Sequence, residues 1–302
     1  MLSIIIPTCN ASKHLPSLLS SLQSQTIQGY ELIVIDSSST DNTVEIADSC
    51  NARVIQIAKD QFDHGGTRTL AAKQAMGQIL IYLSQDVLFS DNKGLENITK
   101  PFETDENIAA VFGRQMPDKN ASVFAEHLRL FNYPEHSYVS KLSDRKKHGL
   151  RSIFFSNSFA AYRKSALEQI GFFKERLIFG EDTYAAAKLL LGKKKIAYVS
   201  SAKVFHSHNY TICQDFRRYF DMGVFHRSEN WLLKEFGKPH GHGKKYVKSE
   251  FAFLKKTKRP DLLPEFALRI FAKFIGYQLG RHYVCLPVGL NRKLSLNRSW
   301  WK

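Results

Sequence analysis

Short apolar runs alternate with amphipathic stretches through the first 83 residues, and this alternation constrains the fold more than any other feature. The apolar runs have the length of strands buried on both faces. The stretches between them space their apolar residues as one face of a helix does, as at Leu15, Leu18 and Leu22. We predict strands at 2–6, 31–35, 53–57 and 79–83 and helices at 12–25, 40–50 and 67–76. The alternation predicts an α/β fold with a mostly parallel, Rossmann-like sheet flanked by helices.

Polar clusters follow each of the four predicted strands. They lie at 7–10, 36–41, 60–68 and 85–86. The carboxyl ends of parallel strands meet at one edge of a sheet, where ligands bind in open α/β folds. We therefore expect the four clusters to line one crevice.

Beyond residue 100 the pattern is less regular. We predict strands at 153–162 and 197–204 and helices at 165–170 and 183–191. Two further polar clusters lie in this part, at 180–182 and 206–208. After about residue 215 the patterns are helical, so we predict an α/β domain at 1–215 and a basic helical C-terminal module at 216–302.

The composition indicates a globular protein of a reducing compartment. Hydrophobic residues make up 43% of the 302 residues and charged residues 24%, which excludes a disordered chain. Four scattered cysteines without CxxC spacing indicate neither a zinc site nor a disulfide framework. Met1 leads into an apolar run with no charged region before it, so we expect no secretory signal. We expect no spanning helix either, because no apolar run reaches about 18 residues, and we predict a cytoplasmic location.

Positive charge is concentrated in the C-terminal module. Residues 216–302 hold 19 Lys and Arg against 6 Asp and Glu, whereas residues 1–215 hold 24 against 22. Basic runs within 244–259 precede an amphipathic segment at 262–283 that is rich in Phe and Leu. This combination is typical of helices that lie on a membrane surface.

Three alternatives remain for this module. The basic face can be solvated without a partner, or Phe271 and its neighbours can pack on the α/β domain. Nucleic acid would also match the charge, but the module has no recognition-helix or zinc-finger motif. We predict the cytoplasmic membrane surface as a partner and no nucleic acid.

Two of the clusters suit a nucleotide diphosphate. Asp36 directly follows a predicted strand, where a carboxylate can accept hydrogen bonds from a base N–H or a ribose hydroxyl. The alternative is an Asx turn that caps the next helix. Residues 63–68 combine two glycines, a helix start and Arg68, and both helix-start amides and a guanidinium bind phosphate oxygens. The alternative is a tight turn beside a surface arginine.

The remaining clusters suit metal binding and proton transfer. Asp86 follows the fourth predicted strand, where a carboxylate can hold a divalent cation on a diphosphate; a turn aspartate is the alternative. Glu181 and Asp182 precede a predicted helix, and they either cap it or include a general base for an acceptor hydroxyl. His206 and His208 share one face of an extended segment, where they complete a metal shell, hold a phosphate or are structural.

The order of these motifs resembles that of the inverting family-2 glycosyltransferases with a GT-A fold. Within that family it is similar to the bacterial rhamnosyltransferases of surface-polysaccharide assembly, over about residues 1–215. The matching motifs are Ile4-Ile-Ile-Pro-Thr8, Leu32-Ile-Val-Ile-Asp36, Phe62-Asp-His-Gly-Gly-Thr-Arg68, Leu83-Ser-Gln-Asp86, Gly180-Glu-Asp182 and His206-Ser-His-Asn-Tyr210. The third and the last of these look specific for the rhamnosyl branch.

The resemblance implies a role for each matched residue. Asp182 would be the general base, and Asp86 would coordinate Mg²⁺ or Mn²⁺ on the donor diphosphate. The family usually has Asp-x-Asp where this chain has Ser84-Gln-Asp86, so His206 or His208 would supply the missing ligand. The implied donor-binding residues are Pro7, Thr8, Asn10, Asp36, Ser38, His64, Gly65, Gly66, Arg68, Gln85 and Glu181.

The resemblance further implies a reaction. An inverting enzyme would transfer L-rhamnose from dTDP-rhamnose to a lipid-linked saccharide in O-antigen or capsule synthesis, as a peripheral protein on the inner face of the cell membrane. A UDP- or GDP-linked sugar is the alternative donor. A nucleotidyltransferase would need a Gly-rich phosphate loop after the first strand, which residues 7–10 do not provide. A non-enzymatic basic protein bound to membrane or nucleic acid would explain only the C-terminal charge. The oligomeric state stays open.

Overall fold

The computed structural model describes residues 1–237 and 240–301. The strands are β1 (Leu2–Thr8), β2 (Glu31–Asp36), β3 (Arg53–Gln56), β4 (Ile79–Leu83), β5 (Leu88–Phe89), β6 (Ile108–Met116), β7 (Tyr138–Ser140), β8 (Phe159–Arg163) and β9 (Lys195–Phe205). The helices of the first 215 residues are α1 (Leu15–Gln23), α2 (Thr43–Ser49), α3 (His64–Gln74), α4 (Gly94–Thr104), α5 (Val123–Asn132), α6 (Arg145–His148), α7 (Lys164–Gln169), α8 (Glu181–Leu191) and the start of α9 (Ile212–Ser228). After α9 follow α10 (Asn230–Phe236), α11 (His240–Lys256), α12 (Leu263–Arg281) and α13 (Val288–Leu294).

The strands of the described residues form one sheet in the order β3-β2-β1-β4-β8-β6-β9-β5, with β7 paired to β9. The strands β3, β2, β1 and β4 are parallel neighbours, as the sequence predicts. Beyond β4 the sheet is mixed, because β8 runs antiparallel to both β4 and β6. The regular alternation of strand and helix ends at β4, so the pattern holds no information on strand direction after that point. The α/β class is confirmed, and the parallel part is the first four strands.

One predicted strand begins too early. We predicted a strand at 153–162, but β8 starts at Phe159, where it pairs with Leu83. The segment before it is irregular, although Phe155 is buried in the core and Phe154 packs against it. Apolar side chains on an irregular segment were thus mistaken for part of the strand. This segment lies beside the site described below.

The third helix begins three residues earlier than predicted. We predicted a helix at 67–76, and α3 starts at His64 because the Asp63 side chain accepts a hydrogen bond from the Gly66 amide. An aspartate at this position satisfies one of the free amides of a helix start. The predicted helix at 40–50 is shorter in the structure and starts at Thr43, whose amide and hydroxyl both donate to Asp41.

An apolar core lies on each side of the sheet. One core contains Ile4 and Ile6 of β1 together with the leucines of α1. The other contains Ile5 and, from the C-terminal region, Phe220 and Trp301. Helix α9 crosses the predicted domain boundary after residue 215. The C-terminal region therefore packs directly on the sheet domain, and our division of the chain at 215 stays a prediction.

Helix α12 buries two charged side chains and exposes three large apolar ones. Arg269 and Lys273 are buried, whereas Leu268, Phe271 and Phe274 are 56%, 65% and 58% exposed. Phe271 itself therefore does not pack on the α/β domain, although Leu279 near the end of α12 does contact its core. No helix in the described ranges combines the length and the apolar character that crossing a membrane requires.

Candidate active site

The loops after β1 and β2 meet at Asp36. The sheet register places Thr8 opposite Asp36, and the Thr8 hydroxyl donates to Asp36 Oδ1 at 2.9 Å. The amide of Ser39 donates to Asp36 Oδ2 at 2.8 Å, and its hydroxyl donates to Oδ1 at 2.5 Å. Asp36 is only 1% exposed. Its carboxylate therefore joins the two loops, and direct contact between Asp36 and a nucleotide stays a prediction.

Two further predicted donor residues hold these loops together. Asn10 has a positive φ of 49°, and its side-chain oxygen accepts from the Thr40 amide at 2.9 Å. The Gln85 side chain accepts from the Cys9 amide at 2.9 Å and donates to the Cys9 carbonyl at 3.3 Å. Both residues thus shape the crevice through backbone contacts. Gln85 in addition connects the loop after β4 to the loop after β1.

Pro7 and Ser38 belong to the same edge of the sheet. Pro7 is the penultimate residue of β1 and is partly buried. Ser38 has a positive φ of 54°, and its hydroxyl donates to the Ile57 carbonyl at 2.9 Å. The carboxyl ends of β1, β2 and β4 therefore lie together, as we predicted from the placement of the clusters.

The two glycines at the start of α3 have a packing role that the sequence did not show. A Cβ on Gly65 would lie 2.0 Å from the carbonyl oxygen of Lys174, so only glycine fits there. The Gly66 amide, which we expected to face a diphosphate, donates to Asp63 instead. This amide is therefore not free for phosphate.

Arg68 connects α3 to α8. Its Nη1 lies 3.3 Å from Glu181 Oε1 and donates to the His64 carbonyl at 2.9 Å, while the buried Nε has no partner among the described residues. Glu181 also accepts from the Asn157 side chain at 3.2 Å. Burial acts to raise the pKa of Glu181, but Arg68 and His64 hold it below its usual value. Glu181 is thus an ionised partner of Arg68.

Asp182 has the protonation behaviour of a general base. It lies in the first turn of α8, and its Oδ2 accepts from the Asn157 amide at 3.2 Å. Burial, and then the neighbouring charge of Glu181, raises the pKa of Asp182 to about 7. A catalytic base works best when its pKa lies near the working pH. Two adjacent carboxyls with opposite pKa shifts are typical of catalytic sites.

Asp86, His206 and His208 form a cluster with one ligand atom each, all within 4.8 Å of one another. His206 Nε2 lies 3.4 Å from Asp86 Oδ1, and His208 Nε2 lies 3.9 Å from Asp86 Oδ2. Burial lowers the pKa of His206, and it lowers that of His208 to about 4, so both rings are neutral at pH 7. Neutral imidazole and carboxylate are ligands for divalent metals.

The orientation of His206 supports a cation at this cluster. Its Nδ1–H donates to Gln115 Oε1 at 2.9 Å, and Gln115 in turn donates to the Ser156 hydroxyl at 2.9 Å. The lone pair of His206 Nε2 therefore faces the Asp86 carboxylate, and two such groups repel unless a cation lies between them. The side chains present fit Mg²⁺ or Mn²⁺.

The segment 156–158 connects the cation cluster to Asp182. Ser156 accepts from Gln115, the residue that orients His206, and the Asn157 amide donates to Asp182. The two groups that we assigned to the metal and the base thus border the same part of the molecule.

Sequence reasoning missed four polar residues here. Gln115 and Asn157 carry no motif, because one lies within a strand and the other in the irregular segment before β8. The charges of Arg129 and Arg218 both act on His206 and His208 of the cation cluster. Burial and the charge of Arg218 lower the pKa of Arg129, whereas the Asp86 carboxylate acts to raise it. Neither arginine has a carboxylate partner in residues 1–237 and 240–301, which leaves two cations for an anionic ligand.

Arg218 reaches the site through two aromatic contacts. Its Cζ lies 5.6 Å from the centre of the Tyr210 ring, which lies 5.5 Å from the His208 ring. The basic pair Arg217-Arg218 is visible in the sequence, but we counted it with the charge of the C-terminal module. The helical spacing of this segment did not show that α9 places Arg218 close to the edge of the sheet.

Comparison with known proteins identifies the class that this fold and site define. The profile of glycosyl transferase family 2 matches residues 3–171, more than half of the chain, and the chain belongs to this family. The alternatives of a nucleotidyltransferase and of a non-enzymatic basic protein are therefore wrong.

Two curated relatives match almost from end to end. The chain is 44% identical to the O-antigen chain rhamnosyltransferase RfbN of Salmonella typhimurium, with 99% of this chain and 96% of the relative covered. It is 43% identical to the O-antigen chain rhamnosyltransferase WbaN of Salmonella anatum, with 99% and 95% covered.

Solved structures confirm the GT-A fold. A mannosyltransferase from Pyrobaculum calidifontis in complex with GDP-Man and Mn²⁺ matches with a TM-score of 0.61 at 17% identity, covering 94% of this chain and 83% of that one. TarS of S. aureus in complex with UDP-GlcNAc matches with a TM-score of 0.57 at 18% identity, covering 93% and 92%. Both alignments extend well beyond residue 215, so the likeness includes part of the C-terminal region.

Proposed function

We propose that the protein is an inverting rhamnosyltransferase that moves L-rhamnose from dTDP-rhamnose to a lipid-linked saccharide in O-antigen or capsule assembly. The observation that carries a transfer reaction is Asp182, whose pKa is raised to about 7 beside the segment that also orients the cation cluster. The sugar is supported by the near full-length identity to two O-antigen chain rhamnosyltransferases.

Asp182 would accept the proton of the acceptor hydroxyl. The hydroxyl oxygen attacks C1 of rhamnose, the bond between C1 and the diphosphate oxygen breaks, and dTDP leaves with the electron pair. One displacement of this kind inverts the anomeric centre. At pH 7.5 to 8 a base with a pKa near 7 is mostly deprotonated and can take this proton. Such a base also binds the proton well in the transition state.

Positive groups around the leaving diphosphate would lower the barrier further, because they stabilise the charge that develops on it. Arg129 and Arg218 have no carboxylate partners within the described residues and lie on the side of the cation cluster. Asp86, His206 and His208 would hold Mg²⁺ or Mn²⁺, which neutralises diphosphate charge when bound. We keep Arg68 as a donor-binding residue whose position depends on Glu181.

A lipid-linked acceptor places the reaction at a membrane. We therefore propose that the enzyme works as a peripheral protein on the inner face of the cell membrane. The basic C-terminal region, with its net excess of Lys and Arg, supports this location.

A panel of nucleotide sugars tests the donor. Thermal shift is measured with dTDP-rhamnose, dTDP-glucose, UDP-glucose and GDP-mannose, each with Mn²⁺ and with EDTA. A ligand present at about 100 times its Kd stabilises the fold by about 2.7 kcal/mol, which such a scan detects. We expect the largest shift with dTDP-rhamnose. Because dTDP-glucose has the same nucleotide and a different sugar, the difference between the two shifts measures recognition of the sugar.

A transfer assay then tests the reaction. The donor with the largest shift is incubated with a lipid diphosphate saccharide, and the product is analysed by mass spectrometry and NMR. Addition of one deoxyhexose with the anomeric configuration opposite to that of the donor supports the proposal. A larger response to the UDP or GDP sugar contradicts the rhamnosyl assignment, and retained configuration contradicts the single displacement.

A further inference from the structure

One face of α12 is apolar and exposed. Leu268, Phe271 and Phe274 follow one another at three-residue spacing, which places them on one side of the helix, and each is more than half exposed. On the opposite side, Arg269 and Lys273 are buried. Surface helices of globular proteins have their apolar side inside and their charged side in water. In α12, by contrast, two cations lie inside and three large apolar side chains lie in water.

Specific contacts hold α12 in this orientation. Arg269 donates to Asp215 at 2.6 Å and to Glu265 at 2.9 Å, and Lys273 Nζ lies 3.9 Å from the same Asp215 carboxylate. Both buried cations are therefore neutralised by acidic partners. Rotation of the helix to bury Phe271 would break these buried ion pairs, which is strongly unfavourable.

Glycines fix the same rotation by close contact with α9. A Cβ on Gly276 would lie 2.4 Å from the Phe216 carbonyl oxygen, and one on Gly280 would lie 2.0 Å from the Phe220 carbonyl oxygen. Only the glycine side of α12 can approach α9 this closely. The exposure of the apolar side is thus a consequence of how α12 is built, and this side has no partner in the described part of the chain.

A basic segment directly precedes the helix that carries the apolar face. Lys255, Lys256, Lys258 and Arg259 are all exposed at the end of α11, directly before the turn that leads into α12. Phe251 of α11 is partly exposed, and its ring lies 6.2 Å from that of Phe266 in α12 and 4.6 Å from Lys255 Nζ. The basic segment therefore lies close to the N-terminal end of α12, and we take it together with the apolar face as one docking surface.

We propose that this surface docks the protein on an anionic lipid bilayer, with α12 in the plane of the interface and Leu268, Phe271 and Phe274 inserted among the lipids. Charge complementarity selects this occupant. A second copy of the chain would bring like charges together, since residues 216–302 hold 19 basic against 6 acidic residues. An anionic bilayer offers both an apolar interior for the exposed rings and negative head groups for Lys255, Lys256 and Lys258.

The inference deepens the proposed function, because it names the surface that brings the enzyme to a lipid-linked acceptor. The docking itself requires no donor, acceptor or catalysis. The two can therefore fail separately. A protein that floats with vesicles but transfers no rhamnose contradicts the proposed function only, and one that glycosylates a detergent-dispersed acceptor without floating contradicts the docking surface only.

Flotation with vesicles tests the docking surface in the full-length protein. Vesicles of phosphatidylcholine alone are compared with vesicles that also contain phosphatidylglycerol. We expect binding to the second kind and its loss at high salt. The triple variant Leu268→Ser, Phe271→Ser, Phe274→Ser should bind at least about tenfold more weakly, because each substitution removes apolar area from the bilayer.

Matched variants separate the two parts of the surface. Met76→Ser with Val139→Ser removes two exposed apolar side chains elsewhere and should leave flotation unchanged. Lys255→Gln, Lys256→Gln, Lys258→Gln should weaken binding to the anionic vesicles and reduce its salt dependence. Circular dichroism confirms that each variant is folded.

Light scattering completes the test. Equal flotation of the wild-type protein and the triple variant overturns the proposal. A wild-type dimer that the triple variant converts to a monomer, with no vesicle binding by either, also overturns it and assigns the face to a second copy of the chain.

Discussion

Arg68 and Glu181 form a buried ion pair that joins α3 to the first residue of α8, with 3.3 Å between Arg68 Nη1 and Glu181 Oε1. Asp182 follows Glu181 directly, so the same pair sets the position and the charge surroundings of the proposed base. Asn157 contacts both acids, through its side chain to Glu181 and through its amide to Asp182. The site is therefore a connected unit, and its parts respond differently to substitution.

Replacement of Arg68 should destabilise the fold. Arg68→Met leaves the Glu181 carboxylate buried without its cation, which costs about 3–5 kcal/mol. Urea unfolding measures the change. Arg259→Met is the matched control, because Arg259 pairs with Asp261 at the surface, where solvent screens the attraction and its loss should change stability little. Equal losses of unfolding free energy in the two variants would contradict the conclusion that the buried Glu181 carboxylate depends on Arg68.

Replacement of Asp182 should abolish transfer and leave donor binding almost intact. Asp182→Asn cannot accept the acceptor proton, whereas the residues that we propose for nucleotide binding are others. Turnover by this variant would show that another group is the base. Donor affinity is measured by thermal shift with dTDP-rhamnose in the same preparation, so that a folded, donor-binding but inactive protein is recognised.

The same variant should change how stability depends on pH. The folded-state pKa of Asp182 is raised to about 7. A raised carboxyl pKa stabilises the fold below its unfolded value, near 4, and this contribution is lost as the pH rises to about 7. The melting temperature of Asp182→Asn minus that of the wild type should therefore increase between about pH 4 and 7 and stay constant above. A difference that is independent of pH would contradict the raised pKa.

Transfer should increase with pH through about 7, where Asp182 loses its proton, and Glu181→Gln should move this increase to lower pH. After burial, the charge of Glu181 is the next cause of the raised Asp182 pKa. Without the Glu181 charge, Arg68 still favours the ionised form of Asp182, so the pKa of Asp182 should fall. Initial rates across the pH range measure the midpoint, and Glu168→Gln on α7 is a distant control that should leave it unchanged. A midpoint that moves to higher pH contradicts the assignment.

Metal affinity should depend on Gln115, although this residue would not touch the ion. Gln115 accepts the Nδ1–H of His206 and so directs Nε2 toward Asp86. Loss of such an orienting hydrogen bond lowers metal affinity by about 10- to 100-fold. Titration of Mn²⁺ with dTDP present should show this loss in Gln115→Leu and almost no binding in Asp86→Asn. Gln23→Leu, on α1, serves as the control, and wild-type affinity in Gln115→Leu would remove the cation cluster from the proposal.

The sequence indicated the elements of the first 83 residues well, because each strand and helix there has its own apolar pattern. It also indicated the sheet edge, since Thr8, Asp36 and Asp86 lie at or just beyond the carboxyl ends of strands. It failed where a side chain depends on distant partners. Gln115 and Asn157 have ordinary sequence surroundings, and their importance comes from His206 and Asp182, which are far along the chain. The role of Gly65 was mistaken for the same reason, since its contact is with Lys174.

The amino-acid sequence by itself determined the α/β class, the family and most of the polar residues at the crevice, because local periodicity and short motifs are properties of neighbouring residues. Tertiary structure alone decided which of these residues face one another. It paired Arg68 with Glu181, directed the Gly66 amide to Asp63, and turned the charged side of α12 inward and its phenylalanines outward. Burial and close pairing of charges exist only after the chain is folded, and they set the pKa of Asp182 and the orientation of α12.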